Sequence, residues 1–502
     1  MSNARTYRLS PPDRTGWMFG LGLIQLMICT AGVFCGVMVM SMVGTVPGLL
    51  VIVFGLGAGF AKIGDMTIVD AVPHVLRFTK TTVTGGIAWY SVVPLLDGDP
   101  DSDAPPALTD HEVLIVDAAH VGLAASGVKV AISRDNKTNS YSATLRVAGR
   151  QFALVDRGEQ DHLVGQWGTA LQSFIAERSP VVSIRWSEWA APSGLDEHRR
   201  WVAEQMSADP LVDVKQAYEQ LLVEAGSQAT RHETLVTVTI NAGKVSSRKA
   251  GRGKAGEDPV RAAVDVLLTE MRLFTQRLEG ADLTVSLPLS PAEWSRAMRL
   301  RLDPSSRAAL DGRTRSLGEA AGACAPDNAA PLAAKSNWTS WQTDGAWHRA
   351  LYVSDWPRLD VPAAWMQDLM LYNGAVRTVS VFFEPIPRSK SQRQITRDAA
   401  KISGDAEHRA EKGFRVGAHH RRAARAVEER EEELVAGYGE FSYAGVVTVT
   451  AGSEAELDDA TDEVTQVAAS VGLELRPLHG RHDKAVCATL PIARGLVPKD
   501  HM

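Results

Sequence analysis

Charge is the first thing this chain lacks, over a long N-terminal stretch. Residues 18–61 include no Asp, Glu, Lys, Arg or His. Read as a helix, the run would extend well past the hydrocarbon core of a bilayer, which is about 30 Å thick, because each helical residue advances the chain by about 1.5 Å. Helices of soluble domains rarely exceed about 20 residues without a polar face. The absence of charge therefore argues against a soluble core helix and predicts a membrane segment.

Turn-forming residues interrupt this run. The segment Gly44-Thr45-Val46-Pro47-Gly48 supplies turn chemistry, since Pro47 has no backbone N–H to donate within a helix. We expect a transmembrane helical hairpin, with residues 16–43 running out and residues 47–61 running back. Residues 1–62 would then form a two-helix membrane anchor. The second helix is short for a full crossing, and it would tilt little, use Lys62 to reach the interface, or be partly re-entrant.

Small residues recur at helical spacing within both predicted membrane helices. Gly32 and Gly36 lie four residues apart in the first helix, and Gly55 and Gly59 lie four apart in the second. Such small-xxx-small steps let two helix backbones approach closely. They favour packing within the hairpin or against another membrane subunit.

Positive charge flanks the run on both sides, whereas the turn within it is uncharged. The flanking cations are Arg5, Arg8 and Arg14 before the run, and Lys62, Arg77 and Lys80 after it. Positively charged flanks are retained in the cytoplasm. We therefore expect a multi-pass protein of the cell (inner or plasma) membrane whose N-terminus and large C-terminal part are cytoplasmic.

Cysteine is scarce, and no charge of either sign dominates the whole chain. The four cysteines among 502 residues form no Cys-x-x-Cys pair. Their number and spacing argue against a disulfide framework and fit a reducing cytoplasm. A net charge of −6 is typical of an ordinary protein surface rather than of a dedicated nucleic-acid binder.

Catalytic motifs are also missing. Neither Gly243-Lys244 nor Gly253-Lys254 has the upstream Gly and the following Ser or Thr that a phosphate-cradling loop needs. No zinc-protease, deaminase or serine-hydrolase motif occurs, and His408, His419 and His420 are interpreted as solvated helix surface. We therefore predict that the chain has no catalytic, cofactor-binding or metal site. We also predict that it uses no cofactor and is not an enzyme.

One segment is strongly basic. The cations between residues 244 and 254 are Lys244, Arg248, Lys249, Arg252 and Lys254, interleaved with Gly and Ser. This basic loop could contact nucleic acid, anionic lipid or an acidic partner, and any nucleic-acid contact is expected only through it. No aromatic residue is interleaved to stack bases, and a solvated, disordered hairpin loop is the simpler interpretation.

Composition and periodicity divide the rest of the chain, which we assign to the α+β class with cytosolic α/β layered domains. We predict a juxtamembrane helix, which Pro73 would break or kink, and an acidic Pro-rich linker over 63–110; a first α/β unit over 111–208; a second α+β unit over 209–310; a linker over 311–337; and a C-terminal α+β domain over 338–502. In the last domain, strands and helices alternate in the order β-α-β-α-β, which suggests ferredoxin-like packing. No internal repeat is evident in the sequence.

The C-terminal third carries a resemblance to a known family. The motifs that carry it are Trp347-His348-Arg349-Ala350-Leu351-Tyr352-Val353, Asp355-Trp356-Pro357, Val379-Ser380-Val381 before Glu384-Pro385, a long charged helix, and Leu490-Pro491-Ile492-Ala493-Arg494-Gly495. In this order they resemble the N-terminal, non-motor domain of the conjugative-transfer ATPases of type IV secretion systems. The N-terminal hairpin resembles the inner-membrane hairpin subunit of the same systems. The whole chain looks like a family of actinobacterial membrane proteins from conjugative elements.

The resemblance implies a role without catalysis. In that family a Walker-type motor follows the Leu-Pro segment, whereas this chain ends at Met502, so ATP binding is not carried over. The expected function is that of a membrane-anchored structural component of a conjugation machine, in an oligomer, with lipid, other secretion-machine membrane subunits and a separate motor ATPase as partners. Two alternatives remain open: a subunit of a type VII secretion apparatus, and a membrane-bound enzyme with an unrecognised site.

Overall fold

The protein is described from a computed structural model. The described residues are 7, 9, 23–60, 62–63, 66–91, 104–122, 126–149, 152, 154–192, 196–205, 212–228, 230–249, 258–318, 324, 326–411 and 418–493. The sequence also predicts a helix that starts at Asp209-Pro210, with Asp209 as its N-cap, and these two residues lie outside the described ones. So do Gly413 and Gly417 of the charged helix, the cations Arg252 and Lys254 of the basic loop, and Arg494-Gly495 of the last motif.

The N-terminal part is helical. Helix α1 covers Leu23–Met42 and helix α2 covers Thr45–Phe60. The break falls at residues 43–44, and residues 45–48 of the predicted turn form the first turn of α2, where a proline needs no backbone N–H. Two short strands, β1 (Lys62–Ile63) and β2 (Met66–Thr67), pair with each other and lead into α3 (Ile68–Val83). The juxtamembrane helix continues through Pro73, where a break or kink was expected. A proline at this point removes one internal hydrogen bond without ending the helix.

The next elements extend to residue 302. They are β3 (Ala88–Tyr90), β4 (His111–Asp117), β5 (Lys129–Asp135), β6 (Ser140–Gly149), α4 (Arg157–Gln172), β7 (Val181–Pro192), α5 (Asp196–Gln205), α6 (Val212–Gln228), β8 (Thr230–Asn241), α7 (Ala242–Lys249), α8 (Pro259–Gly280), β9 (Leu283–Pro288) and α9 (Pro291–Leu302). The sequence predicts a helix over residues 291–302, and α9 confirms it with the same bounds. Ser290 begins it, because Ser290 and Glu293 form a reciprocal capping box.

The remaining elements extend from residue 307 to residue 489. They are α10 (Arg307–Leu317), β10 (Ala333–Ser336), β11 (Trp341–Thr343), β12 (Ala346–Asp355), α11 (Gln367–Leu371), β13 (Val376–Ile386), α12 (Arg388–Glu411), α13 (Ala418–Val435), β14 (Glu440–Ala451), α14 (Glu454–Ser470), β15 (Glu474–Pro477) and α15 (His482–Thr489). The chain is thus mixed α+β, as the sequence predicts.

A single antiparallel sheet connects the segments that the sequence divides into units. Its main path runs β3-β10-β11-β12-β14-β13-β7-β8-β6-β5-β4, while β15 pairs with β12 and β9 pairs with β6. Strands β7 and β13 join at the middle, where seven residues of each strand pair, from Arg377↔Ala190 to Phe383↔Ile184. The sheet is therefore continuous from the first predicted unit to the C-terminal domain.

The two halves of this sheet repeat one arrangement. In the first half the neighbouring strands are β9-β6-β8-β7, and in the second half they are β15-β12-β14-β13. In each half a helix pair separates the two strands nearest the centre, α5 and α6 in the first and α12 and α13 in the second. The structure therefore contains an internal repeat that is not evident in the sequence.

The strand register repeats as well. Leu145 pairs with Pro288 in the first half, and Leu351 pairs with Pro477 in the second. Each proline is followed by a buried leucine, Leu289 in the first half and Leu478 in the second. The Leu289 N–H donates to the Thr144 carbonyl, and the Leu478 N–H donates to the Ala350 carbonyl. Corresponding residues thus form corresponding hydrogen bonds, which relates the halves by an approximate two-fold axis.

Helices cover both faces of the sheet, because alternate strand residues point to opposite sides. Helices α4 and α8 pack on one face of the first half, against residues such as Leu145 and Val236. Helix α14 packs on the same face of the second half, against Leu351 and Val447. Helices α9 and α15 cover the other face at the middle, where Trp294 donates its indole N–H to Pro491 at 2.6 Å.

Two segments that the sequence predicts to be irregular are partly regular. Helix α7 forms at the start of the predicted basic loop: Asn241 accepts from the Gly243 N–H at 3.0 Å, and Val245 is buried beside α8. Helix α10 extends into the predicted linker over 311–337 and buries Leu310, just before the linker, near Trp189, and β10 within the linker pairs with both β3 and β11. These contacts come from distant parts of the chain and outweigh weak local preferences.

Candidate membrane contact and basic groove

The glycines of the predicted helix-packing steps lie where α1 and α2 touch. A Cβ placed on Gly32 would lie 2.7 Å from the Gly55 Cα, and one placed on Gly36 would lie 2.9 Å from the Gly48 carbonyl oxygen. Distances below 3.0 Å are not tolerated by real Cβ atoms. The two helix backbones approach this closely because neither carries a side chain at the crossing.

Next to this contact the two helices also share a polar interaction. The Gln25 side-chain amide donates to the Gly59 carbonyl at 3.2 Å. Cys29 packs at the same level, where its Sγ would lie 2.3 Å from a Cβ on Gly59. The Gln25 amide thus has a hydrogen-bond acceptor within the helix pair. A polar group that is removed from water needs such a partner.

The outer faces of α1 and α2 are apolar and exposed. Phe34 is 71% exposed and Phe54 is 79% exposed, and Met38, Met42, Leu50 and Phe60 are also exposed. Within the described residues, one helix, over Gln25–Met42, is long and apolar enough to cross a membrane. Helix α2 has 16 residues, or about 24 Å, which is less than the roughly 30 Å of a hydrocarbon core. The prediction of a multi-pass protein is therefore not supported by helix length.

Helix α3 links the apolar helices to the sheet. It exposes an apolar stripe that comprises Val72, Val75, Leu76 and Val83. On the same helix, the Phe78 ring packs edge-on against Trp338, with centroids 5.3 Å apart. Trp338 lies between β10 and β11, so α3 contacts the sheet near the start of β11.

The clustered tryptophans of the C-terminal region belong mainly to the core. Trp341 and Trp356 are buried, and Trp365 packs at an angle against Trp356 with centroids 6.3 Å apart. Trp338 and Trp347 are partly exposed. Exposed tryptophans would anchor a protein interface, whereas buried ones form a core, and the geometry of these residues fits the core.

A partly buried network of charged side chains joins strands β6 and β8 to helix α9. Glu233 accepts from Arg301 at 2.8 Å and from Arg146 at 3.0 Å, and Arg146 also donates to Glu293. Burial by itself raises the pKa of Glu233, but the two arginines outweigh that effect and lower the pKa below its usual range. Glu233 is therefore ionised, and its negative charge compensates the positive charges of Arg301 and Arg146.

Two buried histidines are held neutral. His348 contacts the Thr343 and Thr450 hydroxyls at 2.7 and 2.9 Å, and burial lowers its pKa to about 4. His482 accepts the Ala350 N–H at 3.1 Å, and burial lowers its pKa to about 3. Both rings act as hydrogen-bonding parts of the core.

A surface groove of about 520 Å³ lies where α12 begins. Its lining includes Glu177, Ser389, Lys390, Arg393 and Arg397. Glu177 accepts the backbone N–H of Ser389 at 2.6 Å and the hydroxyl at 3.0 Å. These two hydrogen bonds lower the pKa of Glu177, and Arg393 adds to the effect. The groove thus combines three cations with one carboxylate.

The basic loop begins beside this groove. Burial lowers the pKa of Lys244, an effect that nearby Glu384 opposes and nearby Lys390 reinforces. Lys244 and Lys390, which are far apart in the sequence, are therefore neighbours in the fold. Sequence reasoning singled out the basic loop but not α12, because the cations of α12 are mixed with other helix-surface charges.

Other predicted features are placed less fully. The side chains of His408, His419 and His420 lie outside the described residues, although His419 and His420 fall on α13. Among the side chains that the structure describes, no group of three or more His, Cys, Asp or Glu could hold a metal ion. The Leu490-Pro491-Ile492 part of the last motif is buried at the middle of the sheet.

Comparison with known proteins adds no family assignment. No protein-family model matches the chain, and no curated protein matches it significantly.

Proposed function

We propose that this protein is a membrane-anchored structural component of a type IV secretion-like conjugation machine, which docks a separate ATPase at the cytoplasmic face. The observation that carries the proposal is the pair of helices α1 and α2, which pack through glycines and expose apolar faces. The order of motifs in the C-terminal third adds the link to conjugation.

The anchor is a hairpin in this proposal. Helix α1 crosses the membrane, and α2 returns against it, using the close Gly32–Gly55 approach. The exposed aromatic and aliphatic side chains then face lipid, where they need no polar partner. Helix α3 lies along the cytoplasmic surface with its stripe of Val72, Val75 and Leu76 towards lipid.

The C-terminal domain is ferredoxin-like in this proposal. The strand order β15-β12-β14-β13, antiparallel throughout, supports that assignment, because it is the order of a split β-α-β arrangement. The motifs of the resemblance fall on two strands of this sheet that flank β14, with Trp347–Val353 on β12 and Val379–Val381 on β13. Such a domain would present the docking surface for the ATPase.

Cysteine labelling tests the anchor. Thr45→Cys places a thiol at the turn in a chain whose four native cysteines are replaced, and Ser389→Cys serves as a cytoplasmic control. We expect a membrane-impermeant maleimide to label position 45, but not position 389, in intact cells. Labelling of position 45 only after the membrane is permeabilised would contradict an anchor that reaches the outer face.

Co-purification tests the docking role. The full chain and a separate motor ATPase of the conjugative-transfer type would be co-expressed and extracted together in mild detergent. We expect a stable complex that survives size-exclusion chromatography. If the ATPase elutes separately and the chain co-purifies instead with type VII secretion subunits, the type IV assignment is wrong.

A further inference from the structure

The groove at the start of α12 belongs to a larger basic surface. Strands β8 and β13 end at this edge of the sheet and β7 begins there, since Val181 pairs with Ile240 and Ile184 pairs with Phe383. The basic loop, which follows β8, and α12, which follows β13, therefore meet at one place. We call the surface that they form the basic edge, comprising Lys244, Lys390, Arg393 and Arg397.

Much of this charge is not neutralised within the protein. Lys390, Arg393 and Arg397 are exposed, and none of the three has an ion pair with a partner that the structure describes. Together with Lys244 they place four cations at this edge, in a chain whose net charge is −6. Positive charge is thus concentrated here against the overall balance.

The fold itself does not require these cations. Ser187 and Ser380 are paired at the middle of the sheet and occupy corresponding positions in the two halves. Counting outward from them along each chain, Lys390 corresponds to Glu197, Arg393 to Arg200 and Arg397 to Glu204. Two of the three groove cations therefore stand where the first half has an acidic residue. Lys390 and Arg397 are a local specialisation of the second half.

An exposed aromatic side chain adjoins the same surface. Arg388 begins α12 and donates to the Gly437 carbonyl at 2.7 Å, which holds the segment after α13 against the start of α12. The next residue, Tyr438, is 55% exposed. Nucleobases stack on exposed aromatic rings beside cationic grooves in proteins that bind single strands.

The basic edge lies at the end of the sheet away from the predicted membrane elements. Helix α3 contacts Trp338, three residues before Trp341 of β11. Trp341 pairs with His348 of β12, and His348 pairs with Thr450 of β14. Thr450 in turn pairs with Val376, the first residue of β13, so α3 lies near this end of β13. The groove adjoins Ile386, at the other end of the same 11-residue strand, about 34 Å further on. This separation favours a soluble polyanion over a lipid headgroup.

We propose that the basic edge binds single-stranded nucleic acid, with Lys244, Lys390, Arg393 and Arg397 contacting phosphates and Tyr438 stacking a base. Glu177 limits this binding, because its carboxylate occupies the Ser389 backbone N–H and faces the groove. The proposal goes beyond the structural role proposed above, and only its preference for a soluble polyanion over lipid rests on the membrane placement proposed there.

Fluorescence anisotropy with a labelled 20-nucleotide oligo-dT tests it, using the full chain in phosphatidylcholine nanodiscs. We expect the groove variant Lys390→Gln/Arg393→Gln/Arg397→Gln to bind at least about tenfold more weakly, with a salt dependence that is shallower by about two. The matched control Arg231→Gln/Arg277→Gln/Arg358→Gln removes the same charge from exposed sites elsewhere and should bind as the wild type does. Tyr438→Ala should weaken binding about tenfold, and Glu177→Gln should strengthen it.

Several results would overturn the proposal. They are the absence of oligo-dT binding by the wild type, and an equal loss in the groove and control variants. If the groove variant binds oligo-dT normally but no longer binds added phosphatidylserine vesicles, the surface is a lipid contact. If it binds oligo-dT normally but loses self-association in sedimentation, the surface binds the acidic part of a second copy. Circular dichroism of each variant establishes that it is folded, as the exposure of the substituted side chains leads us to expect.

Discussion

Ser187 of β7 and Ser380 of β13 pair directly across the middle of the sheet, and each occupies the same position within its own half. Ser187 pairs on its other side with Leu235, which pairs with Arg146, while Ser380 pairs with Val446, which pairs with Tyr352. The approximate two-fold axis of the protein therefore passes between these two serines. Both are buried, so the joint between the halves is a core feature rather than a surface contact.

The two serines differ in their hydroxyl groups, which gives a first prediction. The Ser187 hydroxyl donates weakly to the Leu235 carbonyl at 3.4 Å, whereas the Ser380 hydroxyl is buried without a partner among the described residues. A buried hydroxyl without a partner costs free energy. We expect Ser380→Ala to keep or raise stability by up to about 1 kcal/mol, and Ser187→Ala to be neutral or slightly destabilising. Thermal unfolding followed by Trp fluorescence measures both, and a clear loss of stability in Ser380→Ala would contradict the assignment.

The second prediction concerns the contact between α1 and α2. Leu at position 55 would force its Cβ to within 2.6 Å of the Gly32 Cα, whereas a Cβ at Gly57, in the same helix, meets nothing within 4 Å. Overpacking of this kind typically costs 1–3 kcal/mol or more. We expect Gly55→Leu to lower the aggregation temperature of the detergent-solubilised chain, and Gly57→Leu to leave it unchanged. Equal behaviour of the two variants would show that the helices do not pack through these glycines.

The third prediction concerns Glu233. Glu233→Gln keeps the side-chain shape but removes the charge that Arg301 and Arg146 both contact. Arg301 is almost fully buried, and an uncompensated buried cation costs about 3–5 kcal/mol. We expect a large fall in the midpoint of thermal unfolding. The matched control is Glu112→Gln, which removes an exposed partner of Arg134 and should cost less than about 1 kcal/mol. Similar effects of the two changes would argue against a buried network.

The fourth prediction is a loss of stability in mild acid. In the unfolded chain His348 has its ordinary pKa of 6.5, but burial lowers the folded-state pKa to about 4. As the pH falls below 6.5, the unfolded state takes up the proton first, so stability decreases until the pH reaches about 4. This difference in pKa corresponds to about 3 kcal/mol, and His482 acts in the same direction down to about pH 3.

Variants separate this effect from general acid unfolding. Unfolding midpoints would be measured between pH 8 and pH 4 for the wild type and for His348→Gln. We expect the variant to be less stable at pH 8, because the hydrogen bonds to Thr343 and Thr450 are disturbed, and to lose less stability on acidification. A pH profile parallel to that of the wild type would show that His348 does not titrate between the two states.

Local elements were predictable where local patterns were strong. The apolar run, the helix over residues 291–302 and a strand over residues 235–240, where apolar residues alternate with Thr, follow from composition, helix-start residues and period-two patterning. The glycines at the α1–α2 contact were also identifiable, because four-residue spacing places them on one helix face. These features depend on residues close together in the sequence.

The pairing of β7 with β13 and the meeting of the basic loop with α12 were decided only by the tertiary structure. Nothing in the sequence around Ser187 indicates Ser380 as its partner, because strand pairing depends on matched edges and faces rather than on residue identity. For the same reason β10 and α7 were missed: each is held by contacts with distant segments, not by its own propensity. The sequence by itself determined which residues avoid water and which local elements they form. The fold decided which distant charges lie together, since electrostatic interactions depend on separation in space rather than along the chain.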